Sequence, residues 1–135
     1  MLREYPEDVR IVYKQHPLPM HSNAALAAEA ALAAHAQGKF LAMHEAMLEN
    51  FRTLSREKIL ELAAAIGLDV DRFRAEIDSG KHKAAVEAET REVTSVGAGG
   101  TPASFVNGRF VSGAQPYDVF KKLIDEELQK AKAGS

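Results

Sequence analysis

The chain has 135 residues, 46% of them apolar and 27% charged, which is the balance of one ordinary globular domain. A net charge of −2 argues against a protein built to neutralise phosphates, and no run approaches the roughly 20 apolar residues of a membrane helix. There is no cysteine, which excludes disulfide frameworks, thiolate metal sites and thiol nucleophiles among these residues.

In chain order, Met1 to Pro6 reads like the tail of a helix stopped by proline, and the charges among the first ten residues make no secretory signal. A chain that opens inside an element suggests a trimmed domain. Val9-Arg10-Ile11-Val12-Tyr13-Lys14 is the first predicted strand, rich in β-branched and aromatic residues and closed by Pro17 and Pro19. From Ser22 the composition changes. Ser22 or Asn23 can cap an alanine-rich helix over Ala24 to Gln37, with Gly38 as its stop. So many alanines give high helix propensity and let neighbouring helices approach closely. A second helix carries Phe40, Met43, Met47, Leu48 and Phe51 as an amphipathic stripe. Ser55 caps a third, with Ile59, Leu62, Ala63 and Ile66, which Gly67 ends. Asp69 opens a short helix with Phe73 and Ile77, stopped by Gly80, and Lys81 to Val96 continues as a more polar one.

The period then switches. Gly97-Ala98-Gly99-Gly100-Thr101-Pro102 reads as a loop, and Ala103 to Val106 and Arg109 to Ser112 as two strands. Asn107-Gly108 between them is a strong hairpin signal, because a type I′ turn needs positive φ at both central positions. Pro116 leads into a last helix with Phe120, Leu123, Ile124 and Leu128 on one face, and a frayed tail is expected from Lys130 to Ser135. No repeat or low-complexity linker divides the chain, so one α/β domain over 1–135 is predicted.

The ordered set of motifs resembles a DsbA-like thioredoxin domain. Gly100-Thr101-Pro102 before a strand, then Phe105-Val106-Asn107-Gly108-Arg109 and Gly113, is similar to its second half. Val12-Tyr13-Lys14-Gln15-His16-Pro17-Leu18 with His21 is similar to the family's strand and the start of its helical insertion. Gln37-Gly38-Lys39-Phe40 with Met43 and His44, and Ile66-Gly67-Leu68-Asp69 with Phe73, continue the match. The resemblance implies an incomplete thioredoxin-like fold with a helical insertion over about 22–96. It also implies thiol–disulfide exchange on cysteine-containing or unfolded protein substrates, in a periplasmic or exported setting.

In that family the proline matching Pro102 is cis and sits beside a Cys-x-x-Cys at a helix N-terminus, where amides and dipole lower the thiol pKa. The first strand, the Cys-x-x-Cys and most of the first helix would lie upstream of Met1. The chain as given is therefore expected to be redox-inactive and to have no catalytic residue. Gly100, Thr101 and Pro102 are the expected substrate-binding residues. With the family's central strand missing, the strands at Val9–Lys14 and Ala103–Val106 are expected to pair directly, or to recruit a strand from another copy as a dimer or strand-swapped oligomer.

Two other functions compete with the exchange enzyme: a non-catalytic peptide-binding or self-associating module, and a glutathione-linked transferase or isomerase of the same fold. No cofactor, metal or nucleic-acid partner is expected. The glycines at 97, 99 and 100 follow a helix and precede a strand, the reverse of a phosphate-binding loop. His16, His21, His35 and His44 lack the helical i, i+4 pairing with a glutamate that makes a zinc site. His44 is expected as a buried, hydrogen-bonded imidazole, and His16 and His21 as shapers of a turn.

Overall fold

A computed structural model describes all of residues 1–135. The chain is mixed α/β, with six helices and one two-stranded antiparallel sheet. In order these are α1 (Ala24–His35), α2 (Phe40–Glu49), a single 3-10 turn (Phe51–Thr53), α3 (Arg56–Ala65), α4 (Val70–Asp78), α5 (Lys83–Ser95), β1 (Ala103–Val106), β2 (Arg109–Ser112) and α6 (Tyr117–Ala133). They form two compact units, one of residues 15–92 and the other of residues 1–14 with 93–135.

The unit of residues 15–92 is helical. Its boundaries follow from local chemistry. Ser55 Oγ accepts from the Lys58 amide at 3.1 Å and Asp69 Oδ1 from the Arg72 amide at 3.0 Å, so each satisfies an amide that the first helical turn leaves unpaired. Asn23 precedes α1 without capping it, and its side-chain amide instead donates to the Leu54 carbonyl at 2.7 Å. At the other ends, α1 and α3 stop alike. Lys39 N–H returns to the Ala34 carbonyl and Leu68 N–H to the Ala63 carbonyl, each across a glycine at positive φ. Lys39 also donates from Nζ to the Ile66 carbonyl at 2.6 Å, satisfying a second terminal acceptor of α3.

The core of this unit joins Ala30, Ala31, Ala33 and Ala34 of α1 to Met43 and Met47 of α2, Ile59, Leu62 and Ala63 of α3, and Phe73 and Ile77 of α4. The alanine face lets larger side chains seat against the α1 backbone. Met43 and Met47 fill the core as their spacing predicts, but Leu48 and Phe51 of the same stripe are exposed. The helix ends at Glu49, so Phe51 falls in the 3-10 turn rather than one turn further along a continuous face.

In the other unit the hairpin has the predicted strands and turn. Ala103 faces Ser112, Ser104 faces Val111, Phe105 faces Phe110 and Val106 faces Arg109. α6 packs on β1 and runs to Ala133, further than the frayed tail expected from Lys130. The first residues are fixed to α6. Tyr5 is buried, its hydroxyl donates to Asp125 Oδ1 at 2.6 Å, and it accepts from Lys121 Nζ at 2.9 Å. The bond to Asp125 holds the Tyr5 hydroxyl above its ordinary pKa, against the pull of Lys121, and the same bond holds the Asp125 carboxyl below its own.

One expected strand is corrected. Residues 9–14 form no strand and pair with neither β1 nor β2, so the direct pairing of the two predicted strands does not occur. Composition favoured a strand there, but a strand is defined by its neighbour's hydrogen bonds and not by its own side chains.

Candidate functional site

The candidate site is the loop before β1 and the outer border of the hairpin. α5 ends at Ser95, the Ala98 amide turns back to the Val93 carbonyl at 3.0 Å, and Ala98 is buried as the loop's anchor. Beyond it Gly99, Gly100, Thr101 and Pro102 are exposed in succession. The Thr101–Pro102 peptide bond is cis. The Pro102 carbonyl accepts from Gly113 N–H at 2.9 Å and so extends the ladder by one pair. The structure thus places the three predicted residues together on one exposed stretch. A Cβ at Gly99 or Gly100 would meet nothing within 4 Å, so the loop is open.

The ladder fixes what this border offers. Since Pro102 and Gly113 are a bonded pair, the bonded pairs continue as Ser104–Val111 and Val106–Arg109. The amide and carbonyl of Ala103 and of Phe105 therefore point away from β2. They form an edge that can accept an extended chain.

The two faces of the hairpin differ. On one, Val111 is buried, and Arg109 Nη1 reaches Glu126 Oε2 at 2.5 Å and Glu127 Oε1 at 3.4 Å on α6. The Arg109 bond lowers the pKa of the Glu126 carboxyl, and Lys130 foremost, with Arg109, lowers that of Glu127. On the other, the Phe105 and Phe110 rings lie 5.1 Å apart at a 41° tilt, 42% and 49% exposed. This aromatic pair was not singled out from sequence. Its signal was present: an aromatic on each side of Asn107-Gly108, at the offset that makes them direct cross-strand partners.

The turn supplies a clean test of the backbone. Asn107 has φ 47° and Gly108 φ 86°, the signs a type I′ turn demands, and a Cβ on Gly108 would touch nothing within 4 Å. Any cost of Gly108→Ala is therefore conformational. A loss of about 1 kcal/mol in hairpin stability is expected, read as a lower urea midpoint for this unit. An unchanged midpoint would mean that the turn does not hold this geometry.

The histidines do not converge here. Phe40 lies between two of them, 5.6 Å from the stacked His44 ring and 6.2 Å edge-on from His35. His44 is half-buried rather than buried, because it packs at the margin of the alanine core. Both ring nitrogens of His16 are buried without a hydrogen-bond partner, while His21 helps form the turn before α1 by accepting from the Ala24 amide.

The family described as DSBA-like thioredoxin domain matches residues 1–125. Among curated proteins, the chain is 33% identical over 97% of its length to "Na(+)/H(+) antiporter NhaA" of Herminiimonas arsenicoxydans. It is 39% identical over 82% of its length to "Na(+)/H(+) antiporter NhaA 3" of Salinispora tropica. It spans 20% and 17% of those two proteins, about a fifth of the length of the relatives it matches. No solved structure matches. With the family covering 125 of its 135 residues, the chain belongs to the DSBA-like thioredoxin domains.

Proposed function

We propose that this domain is the substrate-holding part of a thiol–disulfide oxidoreductase, binding an extended stretch of a cysteine-containing or unfolded protein along Gly100, Thr101 and Pro102. The observation that carries the reading is an open, exposed loop that presents these three residues together, in a chain of this family. The exposed backbone of Gly100 and Thr101 would pair with the guest's main chain without regard to its sequence. The Phe105 and Phe110 rings would take its apolar side chains. The exchange reaction itself needs a thiolate, and this chain has none, so it supplies the grip and not the nucleophile. Ion antiport, which the relatives' names describe, is not proposed for it: no helix is long and apolar enough to cross a membrane.

The test is an NMR titration with an unstructured peptide carrying one alkylated cysteine. Amide shifts are expected at Gly100 and Thr101, and Phe105→Ser is expected to weaken binding about tenfold. Silence at those amides with millimolar peptide, or unchanged affinity in Phe105→Ser, would sink the assignment. Disulfide reduction by the chain alone is expected to equal the buffer blank, and turnover would refute its description as a thiol-free holder.

A further inference from the structure

Of the three asparagines in the chain, two are held by their side chains and one is not. The Asn23 side-chain amide donates to the Leu54 carbonyl at 2.7 Å, and that of Asn50 to the Ala46 carbonyl at 2.9 Å. Each is followed by a residue whose Cβ crowds its own main-chain nitrogen, Ala24 and Phe51. Asn107 stands exposed at the hairpin tip, its side-chain amide makes no hydrogen bond within the chain, and an exposed glycine follows it. Nothing therefore shields the Gly108 nitrogen, which is one five-membered ring away from the Asn107 side-chain carbonyl carbon.

We propose that Asn107 is a site of spontaneous covalent modification, deamidation through a succinimide, which the closed turn blocks and each opening of the hairpin tip permits. The Gly108 nitrogen gives up its proton and bonds to Cγ of Asn107. The Cγ–Nδ2 bond breaks, and the side-chain amide leaves with that proton as ammonia. Solvent water then adds across one of the two carbonyl–nitrogen bonds of the ring. Opening on the side-chain side leaves an aspartate at position 107. Opening on the main-chain side leaves an isoaspartate, whose side-chain carbons have become main chain. Nothing is oxidised or reduced, and either product carries one new negative charge. The site stands apart from the peptide-holding function proposed above.

The gate is the geometry of the turn. With Asn107 at φ 47° and Gly108 at φ 86°, the tip is of type I′. The first central residue of such a turn has ψ of about +30°. In an L residue Cβ lies about 120° from the amide nitrogen around the Cα–C bond, so the Gly108 nitrogen stands about 150° from Cβ in torsion. Ring closure needs the two eclipsed, so the closed turn cannot react. It is held closed by the last bonded pair, Val106–Arg109, and by Arg109 Nη1, which reaches Glu126 Oε2 at 2.5 Å and Glu127 Oε1 at 3.4 Å on α6. Each opening of this clasp frees the Asn107 torsion, and the reaction records that opening irreversibly. An isoaspartate lengthens the main chain by one atom, so a two-residue turn no longer joins Val106 to Arg109 in register. The modification removes the turn that guarded against it.

The test incubates the folded chain, the chain in unfolding urea and a peptide of residues 103–112 side by side in mildly alkaline buffer. Digestion and mass spectrometry then follow the fragment holding residue 107 for replacement of its amide by a carboxyl. Conversion is expected at 107 ahead of 23 and 50 in the folded chain, between about tenfold and a thousandfold slower than in the peptide, because only the open fraction reacts. In urea it is expected to match the peptide. Glu126→Gln loosens the clasp without touching the reacting residues, and is expected to speed the folded chain about threefold while leaving the rate in urea unchanged. The proposal is overturned by equal rates in the folded chain and in urea, or by conversion first at 23 or 50. It is equally overturned by a folded chain still unconverted after about a thousand peptide half-lives, since only global unfolding would then expose the site, or by a folded Glu126→Gln rate equal to that of the parent chain.

Discussion

Phe73→Ala is expected to lower the stability of the helical unit by about 3–5 kcal/mol. The ring is 0% exposed, on the inner face of α4, and the core around it includes Met43, Ile59 and the alanines of α1. Alanines cannot extend into the space a lost phenyl leaves, since they have no rotamers to swing. The cavity therefore persists and its cost adds to the lost burial. Against a typical domain stability of about 5–15 kcal/mol, that is about a fifth of the total or more. Urea unfolding followed by helical circular dichroism measures it, with Phe73→Leu expected near 1–2 kcal/mol as the partial deletion. A loss below about 1 kcal/mol for the alanine variant would show that Phe73 is not at the centre of the core.

The second large effect is expected at Glu76. It is 6% exposed, and three side chains serve its carboxylate: Arg72 Nε at 3.0 Å, Lys81 Nζ at 3.1 Å and His82 Nε2 at 2.7 Å. An ionised carboxylate only accepts, so Nε2 of His82 carries the proton of that bond. These hydrogen bonds, His82's foremost, pull the Glu76 pKa down to about 2 despite burial, which alone would raise it. The folded-state pKa is thus below the ordinary glutamate value of 4.5. The resulting stability is fully present above about pH 5 and disappears as pH falls from about 4.5 through 2.

Glu76→Gln, which keeps the shape and removes the charge, is expected to cost about 2–3 kcal/mol at pH 7. The two proteins should converge as pH falls through about 2, where Glu76 itself takes up its proton. Parallel urea titrations across that window read the difference directly, and the difference cancels the contributions of other acids such as Asp125 and Glu126. A gap of equal size at pH 7 and pH 2 would mean that shape, and not charge, holds the α4–α5 turn.

Much of this architecture is legible in the sequence because its signals are local. Ser55 and Asp69 cap the helices they were expected to cap, and Asn107-Gly108 sets the hairpin and its register. Each is decided within four or five residues of chain. Residues 9–14 fail for the opposite reason, since pairing depends on partners that composition does not name. Glu76 was invisible as a hub because it stands beside Ile77 in a short amphipathic stripe, where a glutamate reads as solvated. The hint was Arg72 four residues before it and Lys81-His82 just past the glycine stop, a basic cluster that only the α4–α5 turn brings to one carboxylate. At the candidate site, Gly100, Thr101 and Pro102 were identified by resemblance. The Phe105–Phe110 pair follows from register alone and needed no relative.

The alanine face of α1 has a consequence for how this unit can evolve. Ala30, Ala33 and Ala34 are fully buried, and burying an alanine side chain freezes almost no conformational freedom. That face therefore orders at little entropic cost, leaving the loss of side-chain freedom to Met43, Ile59 and Phe73 opposite. It also leaves no slack: one added methylene at Ala33 would force the facing helix outward, at about 1–3 kcal/mol. Substitutions should accumulate on the large side chains, singly and with compensation among them, while the small ones stay fixed as the surface against which the others are fitted.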